Sequence, residues 1–178
     1  MSQLRDRRNS VPNENPLISQ IGIDLLNYRI NQEELSSRTY LAMSVYLDSE
    51  GYVGAAKLWA KYSAEELVHA SWSREYLLSV GEKPLISPLE PVQTEFNGLP
   101  EIIQLSYEHE IEITRQCQQL ASQALNGGDF MLFTLAQKFL TEQIEEHDKT
   151  IKWVDRLRAF GQDKSCLRLL DTEMGQSL

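Results

Sequence analysis

Apolar residues recur at three- and four-residue intervals along four long stretches of the chain, the period of an amphipathic helix. The spacing predicts helices from about Leu17 to Asp48, from Ala55 to Val80, from Pro100 to about Leu125, and from Asp129 to Phe160. The punctuation agrees. Gly51 and Gly54 break the first pair, Pro100 and Glu101 are helix-start residues, and Asp129 is placed to cap the fourth helix after the turn Asn126-Gly127-Gly128. The segment Gly81–Gly98 holds Pro84, Pro88 and Pro91, so it reads as an extended connection long enough to run the length of a bundle. Lys164 to Met174 can form one more short helix, and no stretch alternates as a strand would. The expected fold class is all-α: residues 17–161 as a four-helix bundle with one long crossover, residues 162–178 as a short C-terminal helix and tail.

Composition narrows the class of function. With 178 residues the chain suits one domain, and 42% hydrophobic with 24% charged residues excludes bulk disorder. Its apolar runs are far short of the ~20 residues that span a bilayer, so no membrane partner is expected. A formal charge of −9 argues against nucleic acid, whose binders carry a basic footprint. Cys117 and Cys166 form no motif and read as reduced thiols of a cytoplasmic protein. Residues 1–16 carry Arg5, Arg7 and Arg8 without an apolar segment, which reads as a flexible arm rather than a secretory signal.

The inward face of each helix then raises a difficulty. Helix 1 presents Leu26, Glu33, Tyr40 and Leu47; helix 2, Trp59, Tyr62, Glu66, His69, Ser73 and Tyr76; helix 3, Ile103, Glu110, Cys117 and Ala124; helix 4, Leu132, Ala136, Phe139, Gln143, Glu146, Trp153 and Leu157. Each stripe is apolar at its ends and polar in its middle. Buried carboxylates cost several kcal/mol per ion unless compensated. No Lys or Arg is expected on these stripes, and only His69 could supply a proton's worth of charge. The heights match as well: Glu33 and Glu66 are 33 residues apart, and so are Glu110 and Gln143. A Glu from each of two helices, with an i, i+3 pair on another, is the ligand plan of carboxylate di-iron bundles. Oxygen donors with one imidazole suit Fe(II) or Mn(II) better than copper or structural zinc.

These residues resemble the haem-free, ferroxidase ferritins of bacteria. The similarity runs from about Leu17 to Glu173 and rests on SSRTYLAMS after Glu33, GAAKLWAKYSAEELVH in helix 2, YEHE in helix 3 and TEQIEEH in helix 4. The resemblance implies that Glu33, Glu66 and His69 bind a first iron, that Glu66 bridges to a second completed by Glu110, and that Gln143 lies near the dioxygen-binding side. It implies that Glu65, Glu142, Glu145 and Glu146 hold a third iron beside the pair, and that Tyr40 supplies an electron. It further implies a homo-oligomer, a hollow 24-subunit shell that oxidises Fe(II) with dioxygen or peroxide and stores the ferric mineral. Leu67 stands where the related haem-bearing bundles place a haem-ligating Met, so no haem is expected.

Other readings share parts of this pattern. A di-iron or dimanganese oxidase acting on an organic substrate uses a similar ligand plan, but would need an apolar pocket at the metals and a reductase. Mini-ferritins that bind DNA place metal between subunits. His109 and His147 read as structural, and Trp59 and Trp153 as packing.

Overall fold

A computed structural model of the chain describes residues 17–177; the arm expected over 1–16 lies outside them. Five helices follow in order: α1 (Gln20–Ser49), α2 (Val53–Ser79), α3 (Leu99–Asn126), α4 (Phe130–Phe160) and α5 (Lys164–Gln176). No strand occurs among the described residues, and no helix there is long and apolar enough to cross a membrane.

Local chemistry sets the boundaries. Helix α1 begins three residues later than the apolar period suggests because Ser19 is the cap, its Oγ accepting from Gly22 N at 3.1 Å. Asp129 caps α4 through Leu132 N at 2.9 Å, and Asp163 caps α5 through Ser165 N at 2.8 Å. Gly128, at φ +70°, supplies the left-handed residue that the tight α3–α4 turn requires. The crossover after α2 is extended and anchored on α1: Leu85 N donates to Asn27 Oδ1 at 2.8 Å, and Asn31 Nδ2 donates to Pro88 O at 3.2 Å.

Helix α1 packs chiefly on α2, and α3 on α4, which makes two hairpins joined by the crossover. Their interior holds two separate apolar clusters. One, around Met43, Leu47, Trp59, Leu99, Ile102 and Val154, extends to Leu170 and Met174 of α5. The other gathers Leu26, Ile30, Leu77, Ile113, Leu120, Leu132 and Phe139 at the opposite end. A band of polar side chains separates them. Leu41, one residue on from the inward Tyr40, is half exposed and lines an open groove beside the crossover.

Helix α5 docks on the start of α2, where Ala55 N donates to Asp171 Oδ1 at 2.8 Å. The approach is close enough that a Cβ on Gly54 would lie 1.9 Å from the Asp171 carbonyl oxygen. Gly54→Ala should therefore displace α5 and cost on the order of 2 kcal/mol, the scale of overpacking against backbone. Urea denaturation and limited proteolysis of the last helix check this; an unchanged midpoint with α5 still protected contradicts it.

Candidate metal centre

Between the two apolar clusters, all four long helices turn polar side chains inward. Glu33 on α1, Glu66 and His69 on α2, Glu110 on α3, and Gln143 and Glu146 on α4 are all buried. The three-residue step on α2 stacks Glu66 and His69 on one face, with Oε2 of Glu66 and Nδ1 of His69 3.1 Å apart. Glu33, Glu66 and His69 each offer a ligand atom within 4.8 Å of the other two, a gap that one cation can close. His69, Glu142 and Glu146 make a second such group, in which Nε2 of His69 is 3.5 Å from Oε1 of Glu142.

Glu110 is oriented from two sides. The Tyr40 hydroxyl donates to its Oε1, and Gln143 Nε2 donates to its Oε2 at 3.1 Å. Gln143 also donates to Thr114 Oγ1 at 3.2 Å, which fixes the amide. His109, beside Glu110 in sequence, turns instead to Ser36, with Nε2 and Oγ 2.8 Å apart and its ring edge-on to Tyr40. Burial pushes its pKa down to about 4, so it is neutral at physiological pH. Glu65 and Glu142 are part-buried at the margin, whereas Glu145 is exposed and belongs to neither group. His147 is exposed, its ring against Tyr107.

The expectation that no Lys or Arg reaches these carboxylates needs correction at two places. Arg29 is 2% exposed, and its Nε donates to Glu33 Oε1 at 2.7 Å while Nη1 donates to Gln116 Oε1 at 2.8 Å. Lys149 donates from Nζ to Glu146 Oε1 at 2.9 Å and to Glu65 Oε2 at 3.3 Å. Both lie just off the apolar stripe, where a long side chain normally runs out to water. A signal was present: Arg29 precedes Glu33 by four residues and Lys149 follows Glu146 by three, the spacings at which helical side chains meet.

Even with these cations the centre remains short of positive charge. Burial first, then the neighbouring carboxylates of Glu33 and Glu110, hold Glu66 well above the ordinary carboxylate range. Burial raises Glu110 as well, against the lowering by its bonds from Tyr40 and Gln143. Glu146 is pushed up to about 7 by burial, although Lys149 works against it. The same contact raises Lys149, whose bonds to Glu146 and Glu65 outweigh its own desolvation. The two directions look inconsistent for an ion pair. They are reconciled by the burial of Glu146, which outweighs what one half-exposed lysine returns, with Glu110 adding to it. Oε2 of Glu33 and Nη2 of Arg29 are buried without a hydrogen-bond partner among the described residues. An orphaned carboxylate oxygen facing other carboxylates is a site for a cation.

Comparison with known proteins agrees with this geometry. Residues 23–160 match the family model described as the ferritin-like domain. A bacterial non-heme ferritin-like protein of Haemophilus influenzae is 33% identical over 159 residues, which cover 89% of this chain and 96% of that protein. A bacterial non-heme ferritin of Escherichia coli is 31% identical over 152 residues, 85% of this chain and 92% of that one. Among solved structures, an open pore ferritin from the hyperthermophilic archaeon Archaeoglobus fulgidus superposes with a TM-score of 0.86 at 30% identity, covering 89% of this chain and 97% of that chain. A four-helix bundle with one crossover, a buried carboxylate–histidine centre at its middle and a family model matched over most of its length together place this chain in the ferritin family, among relatives named bacterial non-heme ferritins.

Proposed function

We propose that the protein is an iron-storing ferritin that oxidises Fe(II) at a pair of positions inside the bundle and passes the ferric product to a mineral. The observation that carries this reading is the set of buried acids, Glu33, Glu66, Glu110 and Glu146, with His69 beside them and too little internal positive charge to balance them. Iron here is substrate and cargo.

Glu33, Glu66 and His69 take the first ferrous ion, the orphaned oxygen of Glu33 being free to bind it. Glu66 bridges to a second ion held by Glu110, which Gln143 and Tyr40 keep in register. Two ions side by side release two electrons together. That number takes dioxygen and two protons to hydrogen peroxide, or peroxide and two protons to water, and leaves two ferric ions. Protons held by the raised carboxyls leave as metal enters, since the ligands bind deprotonated. Where a single ferrous ion is bound, Tyr40, wholly buried and donating to Glu110, is placed to give the second electron that dioxygen or peroxide takes, its proton passing to Glu110; burial and Glu110 hold its pKa well above the ordinary phenol value.

Arg29 fits a site that turns iron over. A fixed guanidinium against Glu33 takes up one oxygen of the first ligand set and repels a trivalent ion more than a divalent one, which favours departure of the product. Assembly as a homo-oligomeric shell, the reading's second half, is supported by Leu41 and Val45 of α1, half or more exposed and lining an open groove of about 860 Å³ against the crossover, and by Leu85 and Ile86, exposed on the crossover itself.

Glu66→Ala should slow aerobic oxidation of Fe(II), followed by ferric absorbance, by about 100-fold or more, since losing even an outer contact to a metal ligand costs 10–100-fold. Circular dichroism should show the bundle intact. Fast oxidation in this variant ends the assignment. Many irons retained per chain in a large particle support storage, whereas one or two in a small oligomer indicate an oxidase of organic substrates.

Metal removal should also change how stability depends on pH. Glu66, Glu110 and Glu146 bind protons more tightly folded than unfolded, so their contribution is largest in acid and is lost as pH rises through the folded values. For Glu146 that window runs from 4.5 to about 7. Metal-free protein should therefore melt at a higher temperature near pH 6 than near pH 8, and saturating Zn(II) should flatten the difference. A metal-free melting temperature that rises over that interval contradicts the electrostatics described above.

A further inference from the structure

Resting on the proposed di-iron centre, we infer that the Lys149 ammonium is a tethered cation that fills the position beside the pair where a third metal ion would bind, so that the centre of each chain takes two ions and no third. The ferritin resemblance brings Glu65, Glu142, Glu145 and Glu146 to a third iron. The structure gives those residues a different arrangement.

Lys149 Nζ lies 2.9 Å from Glu146 Oε1 and 3.3 Å from Glu65 Oε2, joining α4 to α2 across 84 residues of sequence. These oxygens belong to two of the four carboxylates that the resemblance assigns to a third ion, and Glu146 is also a member of the group with His69 and Glu142. An ammonium and a divalent ion cannot share those oxygens, because two like charges a few ångströms apart in a half-buried setting repel each other. Glu145, the remaining carboxylate of the group, is exposed and makes no part of either ligand cluster. The surroundings add to the effect: a crevice of about 240 Å³ beside Glu65 is lined by Lys61, Lys149 and Lys152. Lys152 is paired with Asp148, so the ammonium that faces Glu65 and Glu146 is that of Lys149, and its covalent tether keeps it at high effective concentration.

The effect on function follows from position. In the absence of a third ion, His69 is left to the pair. A lysine that is 31% exposed on a flexible stem can also release Glu146 and follow it as charge at the centre changes. Lys149 touches no reacting atom in this account and acts through Glu65 and Glu146, as a positioning residue that sets the metal count.

Equilibrium dialysis of the assembled, metal-free protein against Co(II), which is not oxidised under these conditions, reads that count directly. Lys149→Gln should bind one more ion per chain than the unmodified protein, and Lys149→Arg should bind the same number as the unmodified protein. The additional ion should disappear when Glu65→Gln is combined with Lys149→Gln. A count unchanged by Lys149→Gln overturns the inference, as does a loss of one ion from the unmodified protein on Glu65→Gln alone. Failure of the underlying centre is read separately: Glu66→Ala would then leave the count of the unmodified protein untouched, whatever Lys149→Gln does.

Discussion

Removing carboxylates from water is the constraint around which this bundle is built. Glu33, Glu66, Glu110 and Glu146 lie between two apolar clusters that are otherwise well packed, and each pays a desolvation cost that hydrogen bonds and nearby cations only partly offset. The long helices follow from this need. With apolar packing at both ends, the middle can stay polar without loss of the fold, and the side chains there are held by rigid elements rather than loops. Small polar contacts seal the band: Ser63 Oγ donates to the Ser37 carbonyl at 2.8 Å, and Trp59 Nε1 donates to Ser106 Oγ at 2.9 Å.

Compensation within the band is graded. Glu110 receives two donors, Glu33 one fully buried guanidinium, and Glu146 one half-exposed ammonium, while Glu66 at the centre has the His69 imidazole beside it and the other acids around it. That gradient leaves the strongest demand for positive charge where the bridging ligand is proposed. Under the proposed function, tethered cations at the centre's margins lower the charge that visiting ions must supply, which would favour passage of ions over retention of the oxidised product.

Much of this was legible in the chain itself. Helical period, capping residues and the proline-rich connection gave the five elements, since these are local signals that packing did not override. The matched heights of Glu33, Glu66, Glu110 and Gln143 marked the centre for the same reason. What the sequence hid were partnerships formed across helices or from the flank of a stripe. Arg29 and Lys149 stand at pairing distance from Glu33 and Glu146, but long side chains at such positions usually reach solvent, and the fold shows that they bend inward. Tyr40 meets Glu110 across 70 residues, a contact no spacing within one helix can disclose. Leu41 turned outward because the groove beside the crossover leaves it uncovered in a single chain.

If metal ions supply the missing charge among these acids, diffraction from crystals soaked in ferrous salt without oxygen should show two anomalous peaks inside the bundle, one bounded by Glu33, Glu66 and His69, the other by Glu66 and Glu110. Iron found only at the surface, with the central carboxyls unmoved, would contradict the account.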